Sequence, residues 1–290
     1  MTRLDGGVVS RVFDLVCEQP PEHVVLKVYP TSERWLMEYE VFIFGLLQRE
    51  TSVPTPRIFY SDRQHRLVPD DYVLMEKVEG AAIAHHTGLK DPDYRDLYRQ
   101  IGRILRAMHA VELPAFGYLE MSGPVENWPT NREFMTEWFR RALANFNEHG
   151  GDPRLGQAIA KRVQSSGAIF NRCDQAALCH NDLHEANAIA ARRANGWHLT
   201  GIVDVGGAIA ADPLFDVART DYWSTRGNPI KRQALLEGYG VSLSDSDVKA
   251  ALGVYEMYHA LELRNWFARA GDYPETVDRI ASELNRLAAQ

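Results

Sequence analysis

The chain has 290 residues, 45% of them hydrophobic and 24% charged, the proportions of a folded globular protein and not of a disordered, collagenous or disulfide-stapled one. Thirty-nine acidic residues against 32 basic ones give a formal charge of −7, opposite to the basic footprint that a phosphate backbone requires, so no nucleic-acid partner is expected. Cys17, Cys173 and Cys179 form no C-x-x-C pair, and no apolar stretch reads as a membrane span or secretory signal; a reducing cytoplasm, with no membrane partner, is the expected setting.

In chain order, the first 78 residues read as short strands around one helix. Val24 to Tyr29 and Tyr72 to Met75 are apolar runs bounded by turn formers, as antiparallel strands are. Between them Leu36, Val41, Phe44 and Leu47 recur at helical spacing, and the pattern stops before Val53-Pro54-Thr55-Pro56. From residue 79 onward helical signals take over. Leu97, Ile101, Leu105 and Met108 form one apolar stripe, Phe134, Trp138, Phe139 and Phe146 a second, and Val248 to Phe267 reads as a third helix. Two strand-like runs, Asn187 to Ala191 and His198 to Val205, interrupt this habit and flank Asn195-Gly196, a strong hairpin signal. The expected fold is α+β, with a small antiparallel sheet and one helix over 1–78 and a larger, mainly helical part over 79–290.

The chemistry concentrates in His180-Asn181-Asp182-Leu183-His184-Glu185-Ala186-Asn187, followed by Gly201-Ile202-Val203-Asp204. If Asn195-Gly196 is a two-residue turn, the register puts Asn187 opposite Asp204 at the open end of the hairpin. An amide oxygen beside a carboxylate suits a hard cation such as Mg2+, which binds few protein oxygens and keeps positions for water or phosphate. Asp182 lies on the loop leading into this pair, placed to accept a proton from a hydroxyl that attacks a phosphoryl group. A different reading starts from His180, Asp182 and His184, which alternate and on an extended segment would face one way, as in a metal-dependent hydrolase.

Together with Ala211-Asp212-Pro213-Leu214-Phe215-Asp216-Val217-Ala218, these motifs resemble the signature of the aminoglycoside phosphotransferase and choline-kinase-like family, relatives of the protein kinases. The resemblance covers nearly the whole chain. It implies a two-lobed, protein-kinase-like fold: a nucleotide-binding lobe over 1–78, then a helical lobe with catalytic loop, metal hairpin and acceptor site. It also implies an enzyme that uses ATP and Mg2+ to phosphorylate a hydroxyl of a small molecule. Asp182 is then the base, and Asn187 and Asp204 hold the metal. Val25-Leu26-Lys27-Val28-Tyr29 resembles the strand carrying the ATP-phosphate lysine, Lys27, with Glu40 as its ion-pair partner.

Gly6-Gly7-Val8-Val9-Ser10 resembles the turn that covers the phosphates, with Gly6, Gly7 and Ser10 at the nucleotide. Leu74-Met75-Glu76-Lys77-Val78-Glu79-Gly80 resembles the connection whose backbone, at Glu76 and Val78, meets the adenine edge. His180 and Asp216 are structural supports, the buried Asp216 carboxylate tying the loop by hydrogen bonds. The family's acceptors include aminoglycosides and related cationic antibiotics, which links it to antibiotic resistance, and also choline, homoserine, sugars and macrolides. Tyr255, Tyr258 or His259, Glu262 and Trp266 form the expected acceptor stripe, since a carboxylate among aromatics suits a protonated amine. A sugar or amino-alcohol kinase and a nucleotide-binding pseudokinase are the alternatives within this resemblance.

Overall fold

The computed structural model describes residues 1–4, 10–65, 68–120, 123–124, 127–271 and 273–289. Apolar alternation between turn formers builds strands β1 (Thr2–Arg3), β2 (Arg11–Val16) and β3 (His23–Tyr29), followed by helix α1 (Arg34–Glu50), β4 (Ile58–Asp62) and β5 (Asp71–Glu76). These strands pair antiparallel in the order β1-β2-β3-β5-β4, and Lys27 sits on the central strand between Val12 and Val73. Helical spacing carries Met37, Glu40 and Phe44 onto one buried stripe of α1, where Met37 packs with Tyr29, Val73 and Met75. Glu40 therefore faces the sheet.

The rest is mainly helix. Short strands β6 (Ala81–Ala82), β7 (Glu112–Leu113), β8 (Leu119–Glu120) and β9 (Gly123–Pro124) surround α2 (Asp91–Met108) and precede α3 (Asn131–Glu148), α4 (Pro153–Ser165) and α5 (Gly167–Phe170). Then come β10 (Ala176–Cys179), the hairpin β11 (Ala188–Arg193) and β12 (Gly196–Ile202), and β13 (Ile209–Ala211). Helices α6 (Pro213–Thr220), α7 (Pro229–Tyr239), α8 (Ser246–Ala270) and α9 (Pro274–Ala288) complete the chain. A small antiparallel sheet with a larger helical part is the α+β arrangement that the apolar patterns predict.

All eight residues of the first two apolar stripes are buried in α2 and α3. The Asp245 side chain caps α8 by accepting the N–H groups of Asp247 and Val248, which fixes where the longest helix begins. Helices α2 and α7 cross at two glycines. A Cβ on Gly238 would lie 2.1 Å from the Arg99 carbonyl oxygen, and one on Gly102 would lie 2.3 Å from that of Leu235. No helix among the described residues is long and apolar enough to cross a membrane.

One register differs from the sequence reading. The hairpin pairs Arg193 with Gly196 and Ala191 with His198, so its turn is Ala194-Asn195, one residue earlier than Asn195-Gly196. Gly196 takes φ +124° directly after that turn, a conformation favoured by glycine, so it closes the turn from the strand side instead of sitting within it. A bulge between Ile189 and Ala190 shifts the pairing again, and β11 and β12 end at Ala188 opposite Ile202. Asn187 consequently stands opposite Val203, whose N–H donates to its carbonyl oxygen at 3.0 Å, and Asp204 lies one residue beyond.

Candidate active site

A lysine on an apolar strand must have its charge met or be driven neutral. Lys27, only 8% exposed, donates from Nζ to both Glu40 oxygens at 2.9 and 2.8 Å and to Asp204 Oδ1 at 3.0 Å. Burial works to lower its pKa, but the two carboxylates outweigh burial and raise it, so the ammonium is retained. The Tyr29 hydroxyl also donates to Glu40, and burial together with that carboxylate pushes the phenol far up, keeping it protonated. Asp204 is in the left-handed region at φ +61° and its side chain is half-exposed. The result is one fixed positive charge joining the sheet to the segment after the hairpin.

Strand β10 delivers the loop 180–187, and helix α6 holds it. The N–H groups of His180 and Asn181 donate to Asp216 Oδ2 and Oδ1 at 2.7 and 2.8 Å, and His109 Nε2 meets the same carboxylate at 3.1 Å. Burial works to raise the Asp216 pKa, yet the His109 hydrogen bond and charge reverse the shift and lower it, so the carboxylate stays ionised. Both nitrogens of the His180 ring are occupied: Nε2 by the Val203 carbonyl at 3.2 Å, Nδ1 by the Asp182 N–H at 3.3 Å. That leaves no ring nitrogen to ligate a hydrolase metal.

Asp182 Oδ1 accepts from Arg219 Nη2 at 2.8 Å, and its Oδ2 lies 3.7 Å from His184 Nε2. Burial works to raise its pKa, but the nearby His184 ring and the Arg219 charge bring it down to about 2, so Asp182 is a carboxylate at neutral pH. The buried Asn187 donates from Nδ2 to the Asp182 carbonyl oxygen at 2.9 Å, and its N–H donates to the His184 carbonyl oxygen at 2.9 Å. With its nitrogen spent on the loop, its amide oxygen remains for a cation.

A cavity of about 320 Å3 opens beside this loop, lined by Asn181, Arg219, Trp138, Tyr258, His259 and Glu262 among others. His259 is buried, with Nε2 at 2.9 Å from the Phe215 carbonyl, and burial followed by the Arg219 charge lowers its pKa to about 3, so it presents a neutral ring. Burial raises the pKa of Glu262. The other two residues of the expected stripe stand elsewhere. Tyr255 is fully buried one turn back along α8, where its hydroxyl donates to Asp212 at 2.6 Å and accepts from Asn131 at 2.9 Å. Trp266 is 45% exposed, packs edge-on against Phe267, and is absent from the cavity lining.

Gly6 and Gly7 lie outside the described residues. Ser10 is buried just before β2. The Glu76 backbone N–H already donates to the Arg57 carbonyl oxygen at 2.8 Å, while the Val78 side chain lies where a Cβ on Gly201 would be, at 2.7 Å. Sequence reasoning missed Arg219. The signal for Arg219 was its spacing: Asp216 and Arg219 lie three residues apart and so share a face of α6.

The sequence profile of the phosphotransferase enzyme family matches residues 1–254. The comparison with curated protein sequences finds no match. Among solved structures, a thermostable mutant of aminoglycoside phosphotransferase APH(4)-Ia, in ternary complex with AMP-PNP and hygromycin B, superposes with a TM-score of 0.74 at 16% identity, over 99% of this chain and 92% of that one. The GDP and kanamycin complex of an APH(2") enzyme gives a TM-score of 0.69 at 16% identity, again over 99% and 92% of the two chains. The GDP complex of wild-type aminoglycoside 2'-phosphotransferase-IIIa gives 0.69 at 17% identity and the same coverage. At these identities the neighbours establish the shared kinase-like fold, and the family profile, spanning the sheet, the loop 180–187 and most of the helices, establishes that the chain belongs to the phosphotransferase enzyme family as a small-molecule kinase.

Proposed function

We propose that the chain transfers the γ-phosphoryl group of ATP to a hydroxyl of a small molecule seated in the cavity beside Asp182. The observation that carries this reading is the pairing of Lys27 with both Glu40 and Asp204 at 2.8 to 3.0 Å, in the same molecule as an ionised Asp182 bordering an open cavity through its partner Arg219. The Lys27 ammonium is fixed in place to meet phosphate charge without reorganising when the nucleotide arrives. Asn187 and Asp204 fit a hard divalent cation, because they offer an amide oxygen and a half-exposed carboxylate next to that ammonium. Bound there, Mg2+ would neutralise phosphate charge.

The acceptor oxygen forms the new bond to phosphorus, the bond between the β- and γ-phosphates breaks, and the hydroxyl proton passes to Asp182. A carboxylate with a pKa near 2 is a weak base, so its contribution is chiefly to orient the hydroxyl and to take the proton late in the transfer. Glu262, with Tyr258 and Trp138 beside it in the cavity wall, offers a partner and ring faces to a protonated amine. Hydroxylated cationic antibiotics of the aminoglycoside class are therefore the first acceptors to examine.

The test is thermal stabilisation by ATP or GTP with and without Mg2+, combined with mass spectrometry of hygromycin B and kanamycin after incubation. Magnesium-dependent stabilisation and a singly phosphorylated antibiotic are expected. Absence of both would end the phosphotransfer reading, and nucleotide binding with phosphorylation of a sugar or amino alcohol alone would move the acceptor class.

A further inference from the structure

We infer that Arg219 is a positioning residue for phosphoryl transfer: it pins one oxygen of Asp182 and so fixes the other as the oxygen that meets the acceptor hydroxyl. The inference rests on the phosphotransfer reading above and assigns a role to a residue that no motif of the sequence marks.

The two Asp182 oxygens are held unequally. Oδ1 receives Arg219 Nη2 at 2.8 Å, whereas Oδ2 has only long contacts, with Asn187 Nδ2 at 3.5 Å and His184 Nε2 at 3.7 Å. Without Arg219, an aspartate that is about one-third exposed on a loop would exchange its two oxygens by rotation about its last side-chain bond. A misplaced reacting group of this kind costs orders of magnitude in rate.

Arg219 is itself immobilised. Its side chain is 19% exposed and its guanidinium lies over the Trp223 ring, 5.1 Å from the centroid. It stands one turn beyond Asp216 on α6, the carboxylate that accepts the His180 and Asn181 N–H groups. One helix thereby governs both the backbone of the catalytic loop and the orientation of its carboxylate. Stability alone does not account for the pair. A partly exposed ion pair contributes little to folding, and Arg219 Nε is buried with no hydrogen-bond partner among the described residues, which costs free energy. Arg219 also lines the acceptor cavity, so Asp182 and the acceptor share one wall.

A double-mutant cycle tests this. Wild type, Arg219→Gln, Asp182→Asn and the double variant, with Arg219→Lys as the conservative change, are compared in single turnovers. The readouts are ADP formation with water as acceptor and phosphorylated product with kanamycin and hygromycin B. Arg219→Gln should lower the transfer rate by about tenfold to a hundredfold with the ATP constant within about twofold of wild type, and Arg219→Lys should recover part of the loss. In the Asp182→Asn background the same Gln substitution should have almost no further effect, because the residue acts through the missing carboxylate.

Equal losses in both backgrounds, or an unchanged rate in Arg219→Gln, would overturn the assignment. If the Gln variant does not fold, as judged by lost stabilisation with Mg2+ and ATP, the same cycle with Arg219→Lys decides the question. A wild type that forms neither ADP nor product sinks the phosphotransfer reading itself, whereas an active wild type with an additive cycle sinks only the role of Arg219.

Discussion

A buried lysine and a loop aspartate solve opposite electrostatic problems in this molecule. Lys27 keeps its charge because Glu40 and Asp204 lie within 3.0 Å, and Asp182 keeps its own because Arg219 and His184 lie on its other side. Asp182→Asn changes the side chain little in shape but removes the proposed proton acceptor. Turnover should fall by roughly 10² to 10⁴ with ATP affinity nearly unchanged, as measured by steady-state kinetics beside calorimetric nucleotide binding. A variant that keeps more than half its turnover would remove Asp182 from that role. Lys27 was legible through the resemblance of its strand, and Asp182 through the largely polar run His180 to Asn187. Arg219 was not, since its spacing from Asp216 is its one local signal and its partner lies 37 residues away. Of the stripe expected on α8, His259 and Glu262 line the cavity, whereas Tyr255 is in the core, because which turn faces the cavity depends on how α8 rests on α6 and α3.

At the scale of elements, hydrophobic periodicity located α1, α2, α3 and α8, whereas hairpin register depended on two local backbone features. Gly196 at φ +124° moved the turn by one residue, and the bulge at Ile189 and Ala190 moved the pairing again, so Asn187 meets Val203 instead of Asp204. Neither feature has a periodicity to betray it. The crossing of α2 and α7 was equally hidden, because Gly102 and Gly238 look like isolated helix-weakening residues until their neighbours are known. Gly238→Ala would place a methyl group 2.1 Å from a backbone carbonyl oxygen, an atom that cannot swing aside. It should destabilise the fold by about 2 kcal/mol or more, read as a lower urea midpoint. The control is Gly156→Ala in α4, where the nearest atom to the new Cβ is 3.5 Å away; there the gain in helix propensity, up to about 1 kcal/mol, should leave stability equal or higher. Similar losses in both variants would mean that close helix approach is not what Gly238 provides.

For the molecule as a whole, the ion pair between Lys27 and Asp204 spans 177 residues of sequence and joins the sheet to the segment following the hairpin. The sequence made both ends visible as members of one resemblance, but it could not tell that Asp204 reaches back to Lys27 while Asn187 is turned toward Asp182. This division of labour separates two substitutions that a simple facing pair would make equivalent. Asp204→Ala removes the charged oxygen proposed for the cation and also one of the two carboxylates that hold Lys27. Asn187→Ala removes a neutral oxygen and a brace of the loop, and leaves the Lys27 cluster intact. Affinity for ATP in the presence of Mg2+ should therefore fall on the order of tenfold or more in Asp204→Ala, and by less in Asn187→Ala. Removing Mg2+ should bring the wild type and Asp204→Ala closer together, because the cation no longer contributes to either. Titration calorimetry of the three proteins, with Mg2+ and with a chelator, gives both comparisons. An Asp204→Ala variant that binds the nucleotide as tightly as wild type with Mg2+ present would show that neither the cation nor the Lys27 bridge acts on the nucleotide through this carboxylate.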